Sequence, residues 1–268
     1  MKIKKVSEGV TKIKDTDSSF AFDFENDTPD DILDIATVQI KETSIGDNVY
    51  WFGYEFNSNI DSDTRTRFIH WIKGLYDEEN RPKSAELYRF IDRPIAQLSK
   101  KVPFVSFDSI VYPRSGRSAL VNSIIRVVLN YVDRDSKKLT FELVKNLPQY
   151  IDFDFDALKA ACGDDTNKYN QKEKHVAQTL LPKIKNLDYF SIAENVKFSY
   201  RPYIKNFLKF ENEIAEKAFT ALNNPKVLVI DDINTSGSTI TEIIRIIKKI
   251  NPEAEIYIFT LIGKEFSI

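Results

Sequence analysis

Apolar and polar positions change rhythm sharply toward the C-terminal end of the chain. Val227, Leu228, Val229 and Ile230 form an unbroken aliphatic run, the pattern of a strand buried on both faces of a parallel sheet. Two acids, Asp231 and Asp232, end it. The small residues Thr235, Ser236, Gly237, Ser238 and Thr239 follow, and then Ile240, Ile243, Ile244, Ile247 and Ile250 recur at helical spacing until Asn251 and Pro252 stop the helix. The same order of strand, small loop and helix occurs upstream. Phe107 to Tyr112 reads as a buried strand, Pro113 to Ser118 as a loop and Ala119 to Tyr131 as a helix. Leu139 to Val144 supplies a further strand.

The chemistry sits where these rhythms change. In open α/β sheets ligands lie beyond the carboxyl ends of the strands, where Asp231 and Asp232 emerge. A small loop at a helix N-terminus gathers unpaired N–H groups and the positive dipole end, and the hydroxyls of Thr235, Ser236, Ser238 and Thr239 add donors. That combination suits a phosphate. Two carboxylates beside a phosphate repel it unless something neutral or cationic lies between, and ribose hydroxyls and Mg²⁺ both meet that need. The residues therefore suggest a ribose 5-phosphate, while plain α/β scaffolding carries the same strand, acidic turn and helix. Arg114 and Arg117 flank Ser115 and Gly116, a flexible turn with two guanidiniums suited to phosphate oxygens. A surface turn with solvated arginines reads the same way.

The stretch Val227 to Thr239, VLVIDDINTSGST, resembles, without a gap, the phosphoribosyl pyrophosphate (PRPP) motif of type I phosphoribosyltransferases, with Asn234 and Ser238 at its free positions. The resemblance implies an α/β fold with a mostly parallel sheet and helices on both faces. It implies that Asp231 and Asp232 hold the ribose and, mostly through PRPP and water, Mg²⁺, with Thr235 to Thr239 on the 5-phosphate. The turn at Arg114, Ser115, Gly116 and Arg117 takes the place of the pyrophosphate-binding loop. Lys145 resembles a basic residue often found after the next strand, or is an exposed strand-end lysine. The implied activity is transfer of ribose 5-phosphate from PRPP to a nitrogen acceptor such as a nucleobase, with pyrophosphate released through an oxocarbenium-like transition state. Relatives with this signature include regulators, so a non-catalytic PRPP or nucleotide sensor, or a scaffold, is the alternative. A third reading, an unrelated α/β protein, predicts that residues 112–118 and 231–239 lie far apart. Dimers are frequent in the family, which makes a homodimer an expectation by analogy.

Two segments fit the unit less well. Between Pro148 and Tyr200 about fifty residues form no regular α/β unit, in the interval where the family carries its flexible catalytic loop. There Lys172 to Leu181 reads as a helix ended by Pro182, and Arg201 lies between aromatics. Arg201 is a candidate to close over pyrophosphate, or a rim arginine stacked on Tyr200 or Tyr203. Residues 1–100 read as a small α+β region, a hood or interaction domain, ahead of a phosphoribosyltransferase-like domain at 101–268 with its insert at about 148–200. Asp47 to Phe56 is β-prone, Arg65 to Leu75 helical, and the acidic run Asp15 to Asp34 a solvated face or loose arm. Only six residues follow the last strand, Ile256 to Ile262, so the N-terminal region or the insert is left to cover the acceptor. Trp51, Tyr54 and Trp71 either stack a base or fill the core.

Composition narrows the classes. The 268 residues are 42% hydrophobic with net charge −2, enough for a core and without a basic field for nucleic acid. Cys162 is the single cysteine, which excludes an internal disulfide and suits a reducing compartment. Lys2, Lys4 and Lys5 precede no apolar run, and Ile256 to Ile262 is too short to span a bilayer, so the expected location is cytoplasmic, with no membrane partner. His70 and His175 are isolated, and Asp152, Asp154 and Asp156 lack the glycine and glutamate of a calcium loop.

Overall fold

The computed structural model describes residues 2–6, 19–23, 33–34, 41–45, 47–56, 61–75, 81–115, 118–132 and 138–263. Most of the acidic run, together with Gly116 and Arg117, lies outside the described residues.

In chain order the strands are β1 (Lys2–Val6), β2 (Ser19–Asp23), β3 (Leu33–Asp34), β4 (Lys41–Ile45), β5 (Asn48–Phe56), β6 (Ser109–Pro113), β7 (Leu139–Lys145), β8 (Asp152–Phe153), β9 (Ile204–Lys205), β10 (Leu208–Phe210), β11 (Lys226–Ile233) and β12 (Glu255–Ile262). The helices are α1 (Ser62–Ile72), α2 (Ser84–Lys101), α3 (Leu120–Asn130), α4 (Phe155–Cys162), α5 (Thr166–His175), α6 (Leu181–Lys185), α7 (Ile192–Asn195), α8 (Glu213–Thr220) and α9 (Ser238–Ile250).

One eight-stranded sheet runs β10-β7-β6-β11-β12-β5-β3, with β4 also on β5. The five strands from β7 to β5 are parallel, and β10, β3 and β4 join antiparallel. The sheet crosses the expected boundary at residue 100, because Tyr257 of β12 pairs with Val49 of β5. Alternation along β11 places Leu228 and Ile230 in one core with α1, α2 and α3, and Val227 and Val229 in the other with α9 and the 148–200 segment. Both faces are thus covered by helices, as a central parallel strand requires.

Trp51, Tyr54 and Trp71 are 3%, 2% and 4% exposed. Trp51 stacks on Tyr257 and Tyr54 on Phe90, so all three are core residues and none is free to stack a base. Gly53 lets α2 approach the sheet: an added Cβ would stand 2.7 Å from Cβ of Pro94 and 3.0 Å from the Leu261 carbonyl.

The 148–200 segment is mainly helical and packs through Leu158, Val176, Leu180, Ile184 and Phe190. Its helix does not stop at Pro182. A π-helical turn at Val176–Leu180 widens the backbone just before it, and Pro182 sits in the first turn of α6, where a missing N–H is tolerated. No described helix is long and apolar enough to cross a membrane.

Candidate functional site

β11 carries Asp231 and Asp232 to the C-terminal edge of the sheet, 7% and 4% exposed. Each acid accepts the next backbone N–H through Oδ1: Asp231 from Asp232 at 2.9 Å, Asp232 from Ile233 at 2.6 Å. The carboxylates are thereby fixed, with Asp232 Oδ2 turned outward. The chain then bends in an Asn-stabilised turn, in which Asn234 Oδ1 accepts the Gly237 N–H at 2.9 Å. Gly237 adopts φ +73°, the left-handed conformation that admits glycine without strain, and is the N-cap of α9. No side chain caps that helix, and its first backbone bond runs from Thr241 N–H to Gly237 O. The amides of Ser238, Thr239 and Ile240 therefore converge at the end of a thirteen-residue helix.

A cavity of about 260 Å³ opens here. Its lining includes Asp231, Asp232, Thr235, Ser236 and Thr239 from β11 and α9, and Pro113, Arg114 and Ser115 from the loop after β6. Lys145, Arg201 and the wall from Phe190 to Ala193 close it from the insert side. Residues 113–115 and the 231–239 stretch thus meet at one cavity, which removes the reading that kept the two segments apart. Gly237 and Ser238 lie just behind the lining, with Ser238 Oγ 3.1 Å from Ser236 Oγ. A larger cavity of about 350 Å³, between β10 and α9, holds none of the expected site residues.

The cations around the cavity are engaged. Arg114 Nη2 donates to Glu142 on β7 and to Glu211 just after β10, which holds the guanidinium pKa above its usual value. Ser115 Oγ accepts the Ser118 N–H at 3.1 Å. Lys145 donates to the Tyr189 hydroxyl and lies 4.1 Å from that ring's centroid. Arg201 donates to the carbonyls of Val196 at 2.9 Å and Ala193 at 2.7 Å. The stacking expected on Tyr200 or Tyr203 falls instead on Phe198, at 5.7 Å, because the short turn Phe198–Tyr203 directs Arg201 back toward α7.

One side chain without counterpart in the sequence reading enters the site. Lys73, just past α1, places Nζ 2.8 Å from Asp232 Oδ2. Burial presses the Lys73 ammonium pKa down, and the charge and hydrogen bond of Asp232, with Asp231 behind it, more than restore it. Burial, then the charge of Asp232, pushes Asp231 up to about 7, against the opposing pull of Lys73.

A family model described as the phosphoribosyl transferase domain matches residues 164–266. The phosphoribosyl transferase match takes in β11, the hydroxyl-rich loop and α9 but stops short of β6 and the Arg114 turn. No curated protein matches the chain. Similar solved structures include a hypoxanthine phosphoribosyltransferase from Staphylococcus aureus, 13% identical over 66% of this chain and 62% of that one, TM-score 0.33. A xanthine-guanine-hypoxanthine phosphoribosyltransferase from Helicobacter pylori is 12% identical over 68% and 76%, TM-score 0.33. A purine phosphoribosyltransferase from Pyrococcus horikoshii is 15% identical over 67% and 92%, TM-score 0.30. The chain spans less than two thirds of the Staphylococcus aureus enzyme's length, and overlaps this loose carry no acceptor across.

Proposed function

We propose that this protein transfers ribose 5-phosphate from PRPP to a nitrogen acceptor and releases pyrophosphate. The observation that carries the reading is the convergence of the acid pair, the hydroxyl-rich helix start and the Arg114 turn on one cavity. The amides and hydroxyls of Thr235 to Thr239 bind the 5-phosphate, and the ribose diol donates to Asp231 and Asp232. The acceptor nitrogen forms a bond to the anomeric carbon as the bond to pyrophosphate breaks, so no protein nucleophile is needed. Arg114 meets the leaving group by exchanging Glu142 and Glu211 for phosphate oxygens.

Among the described residues no group of three or more His, Cys, Asp or Glu could hold a metal unaided. Two carboxylates beside a phosphorylated ligand nevertheless fit Mg²⁺, which keeps waters and takes phosphate oxygens. When bound, Mg²⁺ would offset the charge gathering on pyrophosphate.

The test is calorimetric titration of PRPP with Mg²⁺ into wild type, Asp231→Asn and Asp232→Asn. A pyrophosphate-release screen over purines, pyrimidines, orotate and small amines accompanies it. Undetectable binding by the folded wild type at millimolar PRPP removes the proposal. A second reading, PRPP or nucleotide sensing without turnover, is favoured by one feature: Arg114, Lys145 and Arg201 are all held by protein groups. Binding without pyrophosphate release across the whole screen would select it.

A further inference from the structure

We propose that Lys73 is a ligand-binding residue of this cavity, a cation supplied from outside the motif that engages the pyrophosphate group of PRPP. The inference rests on the phosphoribosyl reading above and adds a residue which that reading lacks.

The position of Lys73 is built. Phe68, Trp71 and Ile72 bury α1 in the core. The helix is closed by Gly74 at φ +66°, where the Gly74 N–H donates to Trp71 O and the Leu75 N–H to His70 O. The backbone N–H of Lys73 itself donates to Ile69 O. A lysine at a helix C-terminus is favoured by the dipole, and this one sends its ammonium into the cavity wall with 24% of its side chain exposed. Among the described cations that line the cavity, Lys73 is the one in contact with the acid pair; Arg114, Lys145 and Arg201 lean on other elements.

Ligand chemistry then assigns its partner. PRPP has two anionic ends, and the amides at the start of α9 take one. The diol donates to the acids, and the hydroxyl nearest the anomeric carbon adjoins the pyrophosphate substituent. An ammonium 2.8 Å from the oxygen assigned to the diol stands, in that reading, beside the ribose carbon that bears pyrophosphate. As the diol takes over Asp232, the freed ammonium regains an anionic partner there, and the contact is charge-assisted.

Calorimetric titrations with Mg²⁺ of wild type, Lys73→Met and Lys73→Arg, against PRPP and against ribose 5-phosphate, test the proposal. The Met variant should lose at least about tenfold in PRPP affinity while ribose 5-phosphate affinity changes much less, and the Arg variant should recover most of the loss. A purely structural lysine would weaken both ligands alike, so equal losses, or none, overturn the proposal. Wild type binding both ligands with an unchanged Met variant overturns this inference alone; wild type binding neither overturns the phosphoribosyl reading as well. Thermal melts check folding, and Lys73→Gln provides a second neutral variant. If neither neutral variant folds, the lysine is structural and the proposal fails.

Discussion

Replacing Asp231 with asparagine should stabilise the protein at pH 8 while disabling its site. Burial and the neighbouring Asp232 raise the Asp231 carboxyl from 3.8 to about 7. Above pH 7 the folded chain must therefore carry a charge that its surroundings oppose. Each unit of such a shift is worth about 1.4 kcal/mol, which sets a ceiling of about 4 kcal/mol. Asp232 shares the repulsion, and the shift belongs to the pair and not to Asp231 alone, so we expect about 2 kcal/mol, or roughly 4–8 °C in melting temperature for a chain of this size. Asparagine keeps the Oδ1 that accepts the Asp232 N–H, so no hydrogen bond is lost.

The pH dependence gives the sharper check. Between about pH 4 and 7 the unfolded chain has already released this proton and the folded chain retains it. Raising the pH through that window favours the unfolded state. The advantage of Asp231→Asn should thus be near zero around pH 4, grow toward pH 7 and stay level above it. Calorimetric melts of both proteins at pH 4, 6 and 8 and constant ionic strength measure this. A variant less stable than wild type at pH 8, or a gap independent of pH, would refute the reasoning.

Asp232→Asn should act in the opposite sense, because it leaves Lys73 without its carboxylate; we expect a loss of about 1–2 kcal/mol after allowing for the ammonium's partial exposure, read by urea denaturation at pH 8. Gly53→Ala should cost about 1–3 kcal/mol, since the new methyl meets Pro94 and the Leu261 carbonyl and neither can rotate away; an unchanged midpoint would contradict the close approach. Gly237→Ala should cost about 1–2 kcal/mol through its left-handed backbone and should also weaken PRPP binding, because the amides at the start of α9 would be re-aimed.

The strand at β11 and the helix at α9 were legible because continuous aliphatic residues and a helical period are local signals. The loop between them was legible because its residues are small and hydroxyl-bearing. Nothing local links Lys73 to Asp232: the contact exists because β5 lies beside β12 and α1 packs over that side of the sheet. The engagement of Arg114 was hidden for a similar reason. It depends on β10, three residues long, pairing antiparallel with β7 and bringing Glu211 beside Glu142. Aromatic content in β5 signalled a strand but not its depth, and only the covering helices α1 and α2 make Trp51 and Tyr54 core residues. Pro182 does not end its helix because it falls in the first turn of α6, directly after the wide turn at Val176–Leu180, a placement that depends on the rare i→i+5 backbone bonding there and not on residue type alone.

The partnership of β5 with β12 also sets an order of events during biosynthesis. Pairing with β4 satisfies one edge of β5 early, but Val49 to Tyr54 meet their other neighbour only when Tyr257 to Ile262 have been made. At ribosomal speeds that delay is on the order of ten to forty seconds. Throughout it a ribbon carrying Tyr50, Trp51, Phe52 and Tyr54 has an open hydrogen-bonding edge, the kind of surface on which chaperones act and nascent chains aggregate.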